Sequence, residues 1–145
     1  MSPPTRAALY SETDRFRHQF NEHVTRRFDV AVDELTSQAQ VYNLLSSTNS
    51  DVKKTPILLF VHTQTYNTSF FEELFSLKDT TDALKTPIII WSDRLNRAEI
   101  SALYRLGATS VIHQDAQTNS LAKTLSDMGE YWFRSVILPR PGFRG

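Results

Sequence analysis

The chain has 145 residues, enough for one domain with a single substantial core, and its 16 basic side chains balance 16 acidic ones. Zero net charge gives no global field to draw in nucleic acid or an anionic membrane, and the absence of cysteine excludes disulfides, thiolate chemistry and cysteine-based zinc sites. No apolar run approaches the roughly 18 residues needed to span a bilayer. The segment Met1-Ser2-Pro3-Pro4-Thr5-Arg6 has no signal-peptide hydrophobic region, so a cytoplasmic location is expected.

Short apolar runs alternate with amphipathic stretches. Ala7-Ala8-Leu9-Tyr10 reads as a first strand. Thr13 or Asp14 then caps a helix whose apolar positions Phe16, Phe20 and Val24 recur at four-residue spacing. Phe28-Asp29-Val30-Ala31-Val32 reads as a second strand, and Asp33 as the cap of a helix burying Leu35, Ala39, Tyr42 and Leu45. The polar stretch 46–54 has ordinary loop length. In Pro56-Ile57-Leu58-Leu59-Phe60-Val61-His62, near-continuous apolar character predicts a strand buried on both faces that delivers one polar side chain, His62, at its C-terminal end. Ser69 is expected to cap the third helix, with Phe70, Phe71, Leu74, Phe75 and Leu77 as its apolar set.

Thr86-Pro87-Ile88-Ile89-Ile90-Trp91 is a second doubly buried strand, with its proline where a missing N–H is harmless. Asn96 opens a helix carrying Ile100, Leu103 and Leu106, and Gly107 stops it. A fifth strand follows over 108–112. Asn119 caps the last helix, striped by Leu121, Leu125, Met128 and Trp132. Within it Gly129 is expected to cost about 1 kcal/mol relative to alanine. Pro139-Arg140-Pro141-Gly142 ends regular structure.

Strands alternating with helices in this way argue for a doubly wound α/β fold with a five-stranded parallel sheet and five helices. The richest strands, over 57–61 and 88–91, belong at its centre. A flavodoxin-like order, 2-1-3-4-5, opens the switch-point crevice between strands one and three, bordered by the residues after Leu9 and by His62. No glycine-rich phosphate loop is present: the turn Ser11-Glu12-Thr13-Asp14 holds no glycine, and Glu12 would repel a phosphate. His62 and His113 both lie near strand ends, where Glu12, Asp93 or Asp115 would complete a metal site. Strand alternation turns His113 the other way, so no metal site is expected. His18 and His23 have no obvious partner spacing and are read as solvated. Arg15, Arg17, Arg26 and Arg27 make the first helix locally basic, and the last two complement its dipole. Without a net positive charge or a helix-turn-helix, no nucleic-acid partner is expected.

Several segments together resemble a response-regulator receiver domain, over roughly 8–139. Leu84-Lys85-Thr86-Pro87-Ile88-Ile89-Ile90-Trp91-Ser92 resembles the family's fourth strand, which ends in Ser or Thr. Ala102-Leu103-Tyr104-Arg105-Leu106-Gly107-Ala108-Thr109-Ser110-Val111-Ile112 resembles its fourth helix, Gly-Ala turn and fifth strand. Phe71-Glu72-Glu73-Leu74-Phe75-Ser76-Leu77-Lys78 fits its third helix. The ending Tyr131-Trp132-Phe133-Arg134-Ser135-Val136-Ile137-Leu138-Pro139 is similar to single-domain receivers associated with phytochrome-type kinases. The resemblance implies a CheY-like fold for 1–145 as a single receiver-like domain, with its core over about 7–138 and a tail over 139–145.

Carried over position by position, the resemblance implies a degenerate phosphoacceptor pocket. The acceptor aspartate falls on His62, and the acidic pair after the first strand on Ser11 and Glu12. The hydroxyl survives as Ser92, the lysine falls on Gln114, the following proline on Asp115 and the switch aromatic on Val111. Forming an acyl phosphate needs a carboxylate nucleophile and a magnesium ion on oxygen ligands. Ser11, Glu12 and His62 offer one carboxylate, so weak or absent magnesium binding, no cofactor and no enzymatic activity are expected. His62 is read as a partly buried residue hydrogen-bonded to Ser92, Glu12 or backbone.

The resemblance also implies partner binding by the face of the fourth helix, fifth strand and fifth helix. There Tyr104, Val111, Tyr131 and Phe133 would meet a histidine kinase, another regulator or a second copy of the chain. The expected function is that of a stand-alone, phosphorylation-independent signalling module of a two-component phosphorelay. The alternatives are phosphotransfer through His62, Asp14 or Asp93, and a small-ligand sensor using the vacated crevice.

Overall fold

A parallel strand with an apolar side chain at every position must be covered on both faces, and the runs 58–61 and 88–91 are fully buried. The computed structural model describes residues 6–46, 58–80, 86–92, 94–113 and 120–135. The strands are β1 (Arg6–Ser11), β2 (Ala31–Leu35), β3 (Leu58–His62), β4 (Ile88–Ser92) and β5 (Ser110–His113). They alternate with α1 (Asp14–Phe28), α2 (Gln38–Ser46), α3 (Thr68–Thr80), α4 (Arg97–Leu106) and α5 (Leu121–Gly129), and α5 runs on into a π-helical turn, Glu130–Ser135. All pairings are parallel and the order is β2-β1-β3-β4-β5, as expected from the alternation of elements.

Alternation along the central strands divides the core in two. Leu59, Val61, Ile88 and Ile90 pack with Val41 and Leu45 of α2, Phe71 and Leu74 of α3 and Leu103 of α4. Leu58, Phe60, Ile89 and Trp91 face the other way, onto Phe16, Phe20 and Val24 of α1, Leu125 and Met128 of α5, and Trp132 and Phe133 beyond it.

Several boundaries differ from the sequence expectations, each for a local reason. Phe28 continues the stripe Phe16, Phe20, Val24 by one more turn, so it ends α1 instead of opening β2, and Asp29 leaves the helix in the left-handed region at φ 55°. Asp33 consequently lies inside β2, where it accepts from the Arg6 guanidinium at 2.7 Å, and caps nothing. The cap of α2 is a reciprocal box. Ser37 Oγ accepts the Gln40 N–H at 3.2 Å, and Gln40 Oε1 accepts the Ser37 N–H at 3.3 Å. Leu35 accordingly belongs to β2.

Thr13 holds the N-cap position of α1 without a side-chain capping bond. Asn67, not Ser69, caps α3, its Oδ1 accepting the Phe70 N–H at 3.0 Å. Ser120 caps α5, accepting the Lys123 N–H at 3.1 Å, while Asn119 lies outside the described residues. Asn96 caps α4 with Glu99 in a reciprocal box, and Gly107 ends that helix at φ 128°, both as expected. The loop over 47–54 and the tail over 139–142 also lie outside the described residues.

Gly129 corrects its expected role. A Cβ there would overlap Cε2 and Cζ of Phe28, so the glycine is what lets α5 approach the end of α1. Phe28 is held in turn by Phe133, 5.6 Å between ring centroids, and by the Arg134 guanidinium 4.9 Å from its ring. Gly129→Ala is therefore expected to lower stability by about 1–3 kcal/mol, overpacking outweighing the gain in helix propensity. In a Phe28→Ala background the same change should be neutral or stabilising by about 1 kcal/mol. A double-mutant cycle by urea unfolding measures both, and equal effects in the two backgrounds would refute the packing role.

Candidate functional site

Parallel register sets Ser11 at the end of β1 directly beside His62 at the end of β3, and His62 beside Trp91 of β4. Ser11 Oγ lies 2.8 Å from His62 Nδ1 and also accepts the Thr13 N–H at 3.1 Å. The imidazole stacks face to face on Phe16, with ring centroids 3.7 Å apart and planes within 6°. Trp91 meets the same phenyl ring edge-on at 5.3 Å. Ser11 and Trp91 are fully buried and His62 is half-buried. The crevice expected between β1 and β3 is thus floored by a histidine resting on the aromatic core. Among the described residues, Trp91 Nε1 is buried with no hydrogen-bond acceptor. An unmet donor of this kind costs about 1–3 kcal/mol.

Of the partners expected for His62, namely Ser92, Glu12 or backbone, neither Ser92 nor Glu12 is the one seen at 2.8 Å, which is Ser11. Glu12 is exposed and its Oε1 accepts the Tyr10 hydroxyl at 2.8 Å. Tyr10 belongs to the α2–α3 side of the core, so this bond draws the carboxylate away from the α1 side where His62 lies. Burial and then the neighbouring carboxylate of Glu12 push the Tyr10 hydroxyl well above its ordinary pKa, so it stays protonated and able to donate. Ser92 is buried and its Oγ accepts the Arg94 N–H at 3.2 Å, and alternation puts it on the side of Ile88 and Ile90. Gln114, Asp93 and Asp115 lie outside the described residues.

One residue of the site was missed. Arg17 is only 9% exposed, donates to the Ser11 carbonyl and pairs with Asp14, with Glu34 3.9 Å away. A guanidinium therefore sits against the end of β1. Its position was readable: 17, 20 and 24 lie on one helix face, the face that α1 buries.

The other histidines are separate. His18 is exposed, 3.2 Å from Glu22 of its own helix, and His113 is exposed at the end of β5. His23 is half-buried and has a partner that its spacing did not suggest, its Nε2 lying 3.1 Å from Ser126 Oγ of α5. Among the described residues no three histidine, aspartate or glutamate side chains converge on a metal position.

The expected partner face is assembled in part. Tyr104 is 48% exposed and Tyr131 56% exposed. The Tyr104 hydroxyl accepts the Val111 N–H at 3.0 Å, tying α4 to β5, and Val111 is half-buried. Phe133 does not belong to that face, because it is buried against Phe60 and Phe28. The wider π-helical turn changes the angular spacing, so the consecutive residues Trp132 and Phe133 both face the sheet.

With this geometry the chain is similar to several solved structures. It aligns with the Mn2+-bound response regulator Rcp1 at 18% identity and a TM-score of 0.78, over 94% of this chain and 99% of that one. It aligns with the phosphorylated cyanobacterial phytochrome response regulator RcpA at 16% identity and 0.77, over 94% and 99%. A response-regulator receiver domain from Rhodospirillum rubrum aligns at 18% and 0.73, over 93% and 98%. No protein-family model and no curated protein matches the chain. The fold is therefore the CheY-like receiver fold of response regulators, and no helix of the described residues is long and apolar enough to cross a membrane.

Burial, and secondarily the Arg27 cation, hold His23 below its ordinary pKa of 6.5. The folded state thus binds fewer protons than the unfolded one. The stability carried by the neutral histidine is intact above 6.5 and is lost as pH falls through the lowered folded value. Between about pH 7 and about pH 5 the wild type should lose more melting temperature than His23→Gln. Parallel melting curves for the two proteins would refute the assignment.

Proposed function

We propose that this chain is a receiver-like module of a two-component phosphorelay that signals by protein–protein contact and takes no phosphoryl group. The observation that carries this reading is the Ser11–His62 pair stacked on Phe16, at the positions where the receiver resemblance calls for carboxylates. Forming an acyl phosphate requires a carboxylate nucleophile and a divalent cation that neutralises the phosphoryl oxygens. Here the nucleophile position is an imidazole, and the remaining carboxylate, Glu12, is bonded to Tyr10. The Arg17 guanidinium occupies the Ser11 carbonyl and pairs with Asp14, so it engages a backbone oxygen and a nearby carboxylate that could otherwise face a cation. On this reading the protein is not an enzyme, holds no magnesium and works in the cytoplasm. It meets a histidine kinase, another regulator or its own copy through the face of α4, β5 and α5. That face carries Tyr104, Val111 and Tyr131, with the two tyrosines exposed.

Incubation with acetyl phosphate and magnesium should leave the intact mass unchanged. Magnesium alone should leave the tryptophan emission unchanged, and Trp91 is placed to report binding because it lies beside His62 in the sheet and edge-on to Phe16. A gain of one phosphoryl group would overturn the reading in favour of phosphotransfer. Light scattering should report a dimer that Tyr131→Glu weakens by about tenfold or more, and a strict monomer at high concentration would remove the self-association.

A further inference from the structure

A cleft of about 570 Å³ lies between α1 and α5, apart from the crevice, and its size falls among formed ligand sites, roughly 300–1,000 Å³. The two helices meet where His23 Nε2 lies 3.1 Å from Ser126 Oγ and where Gly129 admits Phe28. One wall is the α1 face of Gln19, Glu22, His23, Arg26 and Arg27. On the α5 side Leu121 is half-buried and Ala122 exposed, and the small side chain at 122 leaves the cleft open there. Leu125, only 2% exposed, closes the base and offers no apolar surface. The lining is therefore mostly polar and suits a small polar molecule.

Its charge comes from arginines whose present partners do not depend on them. Glu22 lies 3.3 Å from Arg26 but also 3.2 Å from His18. Glu130 lies 3.3 Å from Arg27 and closer, at 2.8 Å, to Arg134. Arg27 can thus turn into the cleft and leave Glu130 paired. Arg26, Arg27 and Arg134 share Glu22 and Glu130, which leaves one guanidinium in surplus. The Arg26 side chain is 79% exposed and that of Arg27 47%, and ion pairs this open to water are weak and readily exchanged. A guanidinium fork matches the paired oxygens of a carboxylate or a phosphate, and the Gln19 amide adds a neutral donor on the same wall. We propose that this cleft binds a small organic dianion, of nucleotide size or less, whose carboxylate or phosphoryl oxygens are clamped by Arg26 and Arg27.

The test is an NMR titration of the intact protein at constant ionic strength with three probes, citrate, pyrophosphate and AMP. At least one should give saturable amide shifts centred on Gln19, His23, Arg27 and Ala122, with a Kd of about 1 mM or tighter. Saturation by citrate alone assigns the cleft to carboxylates, and saturation by pyrophosphate or AMP alone assigns it to phosphoryl groups. Arg26→Gln and Arg27→Gln should each weaken binding about tenfold, the loss of one charge-assisted bond. Arg15→Gln removes an exposed arginine of α1 that does not line the cleft, and should leave the affinity unchanged. Ala122→Glu sets a carboxylate in the cleft and should abolish binding. Position 122 is exposed, so this variant should keep the wild-type melting temperature. Shifts that never saturate with any of the three probes would overturn the proposal. So would an equal loss in Arg15→Gln, which marks diffuse attraction to surface charge, or unchanged binding by both Arg26→Gln and Arg27→Gln. Each outcome is read without acetyl phosphate or magnesium, so this inference and the proposed signalling role fail independently.

Discussion

The constraint on which this structure depends is that β3 and β4 must be covered on both faces, and on the α1 side that cover is aromatic. Ring contacts run without a break from Phe133 to Phe60 at 6.1 Å, from Phe60 to Phe20 at 5.1 Å and from Phe20 to Trp91 at 6.1 Å. They continue from Trp91 to Phe16 at 5.3 Å and end on His62 at 3.7 Å. Each such pair contributes about 0.5–1.5 kcal/mol beyond the area it buries. The imidazole is the last ring of this series. The crevice at the carboxyl ends of the strands, where an open α/β sheet ordinarily keeps its polar chemistry, is here an outward extension of the core.

That continuity explains why the individual departures at the site agree with one another. A carboxylate at position 62 would rest on the face of Phe16, where the ring quadrupole is negative, and would be partly desolvated beside a buried indole. An imidazole at the same position stacks and keeps a hydrogen bond through Ser11. Ser11 in turn stays uncharged where it is fully buried, and its carbonyl receives the Arg17 guanidinium. Glu12, one residue later, finds the Tyr10 hydroxyl on the other side of the sheet. On the proposed reading, aromatic packing, a buried arginine and a diverted carboxylate would all make this end of the sheet less able to hold a divalent cation.

The strand order was legible in the sequence because the signal is large: two apolar runs of strand length, punctuated by Pro87 and Gly107, alternate with stripes at helical spacing. The boundaries misread were those set by weaker or competing signals. Phe28 extends a stripe already recognised at Phe16, Phe20 and Val24, but its β-prone neighbours Val30 and Val32 suggested a strand. The box Ser37-x-x-Gln40 is a readable motif that Asp33 obscured. Phe133 was misplaced because a 3.6-residue period was assumed through a segment that winds as a π-helix. His62 itself stood out, while its partner did not. Ser11 is 51 residues away in sequence, and only the register of β1 on β3 puts the two side by side. The role of Gly129 was equally hidden, since a close approach of α5 to Phe28 is a tertiary fact that leaves no local pattern.

A ligand shifts a two-state protein only by the difference in its affinity for the two states. Clustered carboxylates supply such a difference, since their mutual repulsion makes the ion-free site costly and a bound cation relieves it. The Ser11–His62–Phe16 arrangement carries no comparable repulsion, because its bonds are made within the protein. If the proposed reading holds, the face formed by α4, β5 and α5 has no metal or phosphoryl group to bias it, and its conformation is set by packing. The Tyr104 hydroxyl on the Val111 amide acts in this sense, joining helix to strand at the residue where the resembling family keeps its mobile aromatic. Control over when such a module engages its partner would then lie outside the crevice, in the concentration of the chain or of what it binds. The receiver fold does not depend on phosphoacceptor chemistry for its stability, which comes from the two apolar layers around β3 and β4.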